Sequence, residues 1–524
     1  MNQGLFKGTL FITIAALVSK ALGSLIRIPV QNIAGDQVLG IFTLVYPLYM
    51  VSLTLSVAGI PLAISKMISE ARARHSKEEI RNIFVTASIL AFSFGAFGFL
   101  ILAGFSVPIS RAFGGSSTRP AILAVSFSLL VAPYMAVYRG YFQGFGDMRQ
   151  TAVSQVFEQF IRVAVILAAS LVFVYLGSSD SVIATGIMAG SSIGALASLF
   201  YLRAQFTQGL LLSGKKTPYH FSLFCRLGGR ILKLSIPIAI GSLTVALLNL
   251  VDSFTIPAAL DTQRESMINE LYGIYGRGIS VVQMATVFST SLVLPMVPAV
   301  SSAIVKENRI RTNQMIAKAQ KYNHMIAWPA ALGAASLALP LNLALFGDLQ
   351  GTSVLALLGA SSLFNAFALL GVGILLGIGL HKEAALLVLG AALLKIPLNI
   401  VLVHQMGLVG AALSSLIIYG LLASANTVLT KKRYVFKVFP KGTGAYIAGG
   451  CFIGIMIGLP TLLLNVHSWG RAAAAAYLIV AIFTSAVLYM IIVWRMNGAE
   501  DFSQFWMGRQ ALVRFGPKRN KKRG

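Results

Sequence analysis

Residues 352–379 read TSVLALLGASSLFNAFALLGVGILLGIG, twenty-eight positions without one ionisable side chain. A helix of about 20 apolar residues crosses the hydrocarbon core of a bilayer. A water-soluble fold has no use for a run this long and this uniformly apolar, so the stretch predicts a transmembrane helix. Working outward, thirteen more segments of the same kind follow one another, giving fourteen: 9–33, 38–64, 82–106, 121–143, 151–176, 181–203, 230–256, 276–305, 320–346, 352–379, 383–404, 407–429, 443–465 and 471–495. The expected fold class is therefore an all-α polytopic membrane protein.

Composition agrees. Of 524 residues, 56% are hydrophobic and 11% charged, against about 25% charged in soluble domains. The net charge of +26 would suggest nucleic acid if it were gathered on a soluble surface. Here the basic residues sit in short loops between apolar runs, where they set orientation in a membrane, so no nucleic-acid partner is expected. With the N-terminus inside, 33 Lys and Arg fall in the N-terminal stub, the loops after even-numbered spans and the tail, and five in the opposite loops. An even number of spans is needed to keep both halves on the positive-inside rule. The protein is thus expected in a cytoplasmic membrane, multi-pass, with both termini cytoplasmic. Its first apolar run is longer than a signal-peptide core and carries Lys20 and Arg27, which reads as a retained span. The basic end of the chain, Pro517 to Arg523, reads as an anchor to anionic membrane lipids. Cys225 and Cys451 read as isolated thiols.

The chain also repeats. Pro61-Leu62-Ala63-Ile64-Ser65, followed by Glu70 and Arg74, matches Pro298-Ala299-Val300-Ser301-Ser302, followed by Glu307 and Arg311, at a constant offset of 237. More loosely, Arg162 before an apolar run in the fifth span matches Lys395 in the eleventh. The expected organisation is a first lobe over 1–205 (six spans), a linker over 206–229, a second lobe over 230–432 (six spans), two further spans over 433–496 and a basic tail over 497–524. Transporters built from such repeats bind substrate between the halves.

Ionisable groups inside the spans point to chemistry, because each costs about 2.5–3.5 kcal/mol at a helix centre and must face a bundle interior or polar cavity. Lys20 and Arg27 share one side of the first helix. Glu158 and Arg162, four apart, share a face of the fifth and read either as a self-neutralising pair or as part of a site. Lys395 lies in the eleventh span, Arg139 ends the fourth, Arg277 opens the eighth and Asp36 closes the first. Asp252, in the seventh, is the acidic candidate for a coupling ion, with a bond to Asn249 as the alternative. The deep groups sum to a positive interior, which suits phosphate or pyrophosphate held by Arg and Lys. An exporter of organic cations would need the opposite sign. Prolines such as Pro29, Pro47, Pro133, Pro237, Pro295 and Pro397 would kink the spans. There is no GxxxxGK[ST] loop or HExxH. No cofactor, metal or catalytic residue is expected, and the driving force would be an ion gradient, the membrane potential or the substrate gradient.

The stretch Arg139-Gly140-Tyr141-Phe142-Gln143-Gly144, followed by Met148, Ser154-Gln155-Val156-Phe157-Glu158-Gln159 and Arg162, resembles the stage V sporulation protein B group. That group belongs to the polysaccharide-transporter branch of the multidrug/oligosaccharidyl-lipid/polysaccharide exporter superfamily. Lys20, Gly23 and Arg27 fit its opening Arg/Lys-x-x-Gly-x-x-x-Arg pattern, with lysine where arginine is common, and Pro61, Ala63, Ser65 and Lys66 also match. The resemblance implies two six-helix lobes in a V around a central cavity. It also implies export of undecaprenyl-pyrophosphate-linked saccharides for the bacterial envelope, with lipid II flippases as relatives and cell-wall synthesis proteins as prospective partners. By motif it carries over Lys20, Arg27 and Arg277. Together with Arg139, Glu158, Arg162 and Lys395, these are the expected substrate-binding residues. The alternative is a proton- or sodium-driven multidrug exporter of the same superfamily.

Overall fold

The structure is a computed structural model that describes residues 15, 17–57, 59–208, 219–262, 264–305 and 309–497. Lys7, Lys215, Lys216, Lys306, Glu307 and the basic tail lie outside the described residues, as do the side chains of Pro237, Pro295, Pro298, Ser301 and Ser302. The described residues are helical throughout their regular structure and contain no strand.

After a first helical stretch over 17–25, here α1, come α2 (Arg27–Val57), α3 (Ile60–Ala73), α4 (Lys77–Gly104), α5 (Ser106–Ala112), α6 (Arg119–Gly144), α7 (Met148–Tyr175), α8 (Asp180–Gln208) and α9 (Phe221–Ser242). The second half holds α10 (Thr244–Ala259), α11 (Glu265–Val305), α12 (Arg309–Ser336), α13 (Ala338–Phe346), α14 (Thr352–Gly377), α15 (His381–Met406), α16 (Leu408–Lys431), α17 (Thr443–Leu463) and α18 (Arg471–Asn497). Local chemistry marks the ends. Ser76 accepts the Glu79 N–H at 3.2 Å and starts α4, a Ser-x-x-Glu arrangement that satisfies orphan donors. Asp147 caps α7 through the Arg149 N–H. Pro61 and Pro120 sit in the first turns of α3 and α6, where a missing N–H costs nothing.

Described parts of all fourteen expected segments fall on helices. Among the described residues ten helices are long and apolar enough to cross a membrane, or up to eleven if the bent pair α12–α13 is one span. The run Leu17–Ala73 enters that figure once, although it carries two expected segments. Its two arms meet at Gly35, whose φ of 81° only glycine adopts cheaply. Large apolar side chains stand exposed on the outer helices, among them Phe92, Phe97 and Leu100 on α4, Leu462 and Leu463 on α17, and Ile479 and Phe483 on α18. In water such a surface would aggregate; in lipid it is the solvent-facing surface.

Helix pairs recur in the two halves. α4 packs on α6 as α12 packs on α14; α6 on α8 as α14 on α16; α7 on α8 as α15 on α16. The first apolar core joins Val38, Ile41 and Val45 to Val125, Leu129 and Ile187. A second joins Leu248, Ala368, Val388 and Ile418. α17 and α18 pack on α12 and α13 through Leu337, Tyr446, Ile453 and Leu478. α9 buries Leu227 and Ile231 among Ile64, Ile68 and Ile83 of the first lobe, and Phe221 to Gly229 of the expected linker are already helical.

The halves meet most closely where α2 lies along α11. A Cβ on Gly40 would fall on the backbone of Asn269, one on Gly273 on the backbone of Asp36, and one on Gly276 would lie 2.6 Å from Thr43 Oγ1. The absence of side chains at these three positions lets the two backbones touch at the Gly35 end of the bundle.

Candidate functional site

The buried charges fall into four groups, distinguished by whether a carboxylate answers each cation. On α6 and α7, Glu158 stands between two guanidiniums, with Arg139 Nη2 at 2.8 Å and Arg162 Nη2 at 2.9 Å. Both readings of the Glu158–Arg162 spacing anticipated a shared face. The structure adds Arg139, which reaches across the α6–α7 turn and also donates to Ser154 Oγ (3.0 Å) and Ser198 Oγ (3.2 Å). Arg162 donates further to Tyr49 Oη (2.9 Å) and Gln159 Oε1 (3.2 Å). Two cations share one carboxylate, so the cluster keeps a net positive charge.

In the second lobe, Lys395 of α15 and Asp252 of α10 form a pair with Nζ–Oδ2 at 2.8 Å, their side chains 0% and 1% exposed. Asp252 bonds to Lys395, Asn399 and Tyr275, not to Asn249. Neither charge is open to a ligand in this conformation.

At the Gly35 end, Arg277 of α11 is held by two carboxylates. Its Nε donates to Asp36 Oδ1 at 2.8 Å and its Nη2 to Asp36 Oδ2, while Nη1 and Nη2 reach Asp348 at 2.6 and 2.9 Å. Asn342 accepts a further bond at 3.3 Å. The guanidinium is 1% exposed and has no face left for a substrate here. Asp36 belongs to the first half of the chain and Asp348 to the α13–α14 loop of the second, so Arg277 bridges the two halves. Asp348 lies outside the spans. Burial pushes its carboxyl up, but hydrogen bonds from Arg277 and the Gln350 N–H outweigh this and hold it below the ordinary range.

Arg27 differs from all of these. It is 2% exposed and, among the described residues, has no carboxylate within ion-pair distance. Its Nη1 is buried without a hydrogen-bond partner. The guanidinium lies instead over the rings of Tyr46 (5.5 Å) and Phe42 (5.7 Å) on the returning arm of α2, and Tyr272 of α11 is its electrostatic neighbour from the other lobe. Tyr46 contacts Tyr49 at 5.9 Å between ring centroids, and Tyr49 bonds Arg162. A chain of aromatic contacts thus runs from Arg27 to the Arg139–Glu158–Arg162 cluster. Gly23 packs against Gln159, where a Cβ would lie 3.2 Å from the amide nitrogen, and so seats α1 on α7. Lys20, a turn earlier, is exposed.

Of the seven expected site residues, Arg27, Arg139, Glu158 and Arg162 are brought into one seam of the first lobe. Lys20 stands exposed on α1, while Arg277 and Lys395 are held apart from the seam by acids. Sequence reasoning missed the aromatic partners Tyr46, Tyr49 and Tyr272 and the acid Asp348. A signal existed for both. Tyr46 and Tyr49 stand three apart on one helical face, and Asp348 is the only carboxylate between Glu307 and Glu383.

The chain is similar over nearly its whole length to curated proteins of Bacillus subtilis (strain 168). It is 27% identical over 508 residues to the uncharacterized membrane protein YabM, covering 95% of this chain and 93% of that one. It is 24% identical to the lipid II flippase MurJ, covering 97% and 98%. To stage V sporulation protein B it is 32% identical over 205 residues, 38% of this chain and 39% of that one. Among solved structures, a lipid II flippase MurJ in an inward closed conformation superposes with a TM-score of 0.67 over 96% of this chain and 99% of that chain at 14% identity, which establishes a shared fold. The family model for polysaccharide biosynthesis protein matches residues 5–304, and this multi-pass membrane protein belongs to that family.

Proposed function

We propose that this chain is a flippase that carries undecaprenyl-pyrophosphate-linked saccharides, lipid II or another envelope precursor, from the cytoplasmic to the outer face of a bacterial membrane. The observation that carries this reading is Arg27, a buried guanidinium with an unpartnered Nη1 and no carboxylate, beside a cluster that is itself cationic. Keeping a charge in that state is expensive, and an anionic headgroup would relieve the cost. A phosphate accepting from Arg27 gains a charge-assisted bond of about 1.5–3 kcal/mol. Arg139 and Arg162 offer further donors once the headgroup competes with Glu158, and the lipid tail stays in the bilayer.

On this reading the chain crosses the membrane fourteen times with both termini inside, residues 1–205 and 230–432 are the moving lobes, and the Gly35 end faces outward. The latched state is then closed to the outside. The relationship to MurJ and stage V sporulation protein B supports the substrate class, and the surplus of buried cations disfavours an exporter of organic cations. The test is complementation of a strain depleted of its lipid II flippase. Wild type restores growth, while Arg27→Ala, present in the membrane at the same level, does not. Growth supported equally well by Arg27→Ala would remove the basis of the proposal.

A further inference from the structure

The Asp252–Lys395 pair is surrounded by oxygen rather than by apolar carbon alone. Lys395 Nζ lies 2.8 Å from Asp252 Oδ2 and 3.4 Å from the carbonyl oxygen of Leu248. Tyr419 presents its ring at 5.8 Å. Asn399, one turn along α15 from the lysine, donates to Asp252 Oδ1 (2.7 Å) and Thr255 Oγ1 (2.8 Å). Its own Oδ1 is left buried with no partner in a side chain that is 0% exposed. Tyr275 donates to Asp252 Oδ2 at 3.1 Å and is linked to Ser415, while Tyr272 is linked to Ser253. A carboxylate, a helix carbonyl, an amide oxygen and hydroxyls are the hard ligands that small metal cations take. Within this set a primary ammonium on a four-carbon stem contacts the carboxylate and the Leu248 carbonyl.

We propose that the Lys395 ammonium is a covalently tethered substitute for a free monovalent cation in an oxygen-lined site of the second lobe. The argument is one of charge. A single carboxylate buried away from water requires one positive charge, and Lys395 supplies it from within the chain. A sodium ion entering as well would place two cations against one carboxylate in a low-dielectric interior. The site is therefore electrically full, and Asp252 exchanges no cation with either side of the membrane. Asn399 Oδ1, which receives no hydrogen bond from the ammonium, is the ligand atom that a free ion would recruit. α10 and α15 then stay joined through any cycle of the lobes, with no ion gradient spent at this point.

The inference goes beyond the flippase reading, and its test does not depend on transport. The full-length protein in detergent is heated in choline chloride and in lithium, sodium or potassium chloride at equal ionic strength. The wild type is expected to unfold at one midpoint in all four salts. Lys395→Ala, and Lys395→Met, which keeps the stem, are expected to unfold earlier in choline and to be restored saturably by a small alkali cation. Adding Asp252→Asn to either variant abolishes that response. The proposal is overturned if the wild-type midpoint rises with an alkali cation in a way that Asp252→Asn removes. It is equally overturned if the folded lysine variants are indifferent to all the cations. Should neither lysine variant accumulate, the wild type decides, compared in the four salts with Asp252→Asn/Lys395→Met, in which both charges are removed.

Discussion

Replacing Asp36 by asparagine should open the Gly35 end of the bundle. The carboxylate takes two bonds from the buried Arg277 guanidinium across the lobe boundary, at Oδ1 and at Oδ2. Arg277 keeps Asp348 within its own half, so Asp36→Asn leaves no unpaired buried cation and removes this charged contact between the halves, while the Glu265–Ser116 and Asn269–Ser117 bonds at the same end remain. Hydrogen bonds to charged groups are worth about 1.5–3 kcal/mol. The ratio of open to closed molecules should therefore rise roughly 10- to 150-fold, taking 1.4 kcal/mol per factor of ten. Arg277→Gln should act at least as strongly, because it also leaves two acids without their cation. Spin labels at Ser179 and Ser266, exposed positions on opposite lobes at this end, would report the change as a new long-distance population by pulsed electron resonance. The two exposed native cysteines, Cys225 and Cys451, are first changed to serine. An unaltered distance distribution in both variants would falsify the latch.

Gly40→Ala should spread the same labels, since its Cβ would overlap the Asn269 backbone and overpacking costs about 1–3 kcal/mol; labels that stay at the wild-type distance contradict the close approach. Glu158→Gln leaves Arg139 and Arg162, each little exposed, unneutralised against one another. A buried cation deprived of its partner costs about 3–5 kcal/mol, so the thermal midpoint should fall, with partial recovery when Arg139→Met is added. The Arg277–Asp348 contribution to folding stability should also be indifferent to pH over the physiological range. Because the folded value of Asp348 is depressed, its stabilising contribution is complete above the ordinary carboxylate value of about 3.9 and is lost only as pH falls through the depressed one. The loss of thermal midpoint caused by Asp348→Asn should be the same at about pH 8 and pH 5 and shrink only under stronger acid; a loss that varies near neutrality would point to another group.

The spans were legible because lipid leaves no alternative for residues such as 352–379, and the Glu158–Arg162 face because four residues make one helical turn. The fate of the remaining charges was not. Lys395 meets Asp252 across 143 positions of chain, and that encounter depends on the rotation of α10 and α15 about their axes, which hydropathy does not encode. Arg277 read as a prospective phosphate ligand because its two acids lie 241 and 71 positions away, one of them in a short loop. Arg27 stood out for its depth, but only the packed structure shows that no acid among the described residues answers it. Arg139 joins Glu158 without bringing an acid of its own, which adds one cation to those the spans already hold.

Arg27 and Asp36 stand on either side of the Gly35 bend, Arg27 on the arm before it and Asp36 at the start of the returning arm. The two residues sit on the same bent element, with eight residues, about 12 Å of helix, between the guanidinium position and the bend. A headgroup that moves the Arg27 arm moves it about a bend that adjoins Asp36. By reciprocity, whatever factor Asp36's grip on Arg277 contributes to anion affinity, a bound anion returns to that grip. Cargo would then turn its own key in the outer door, with no separate messenger between them.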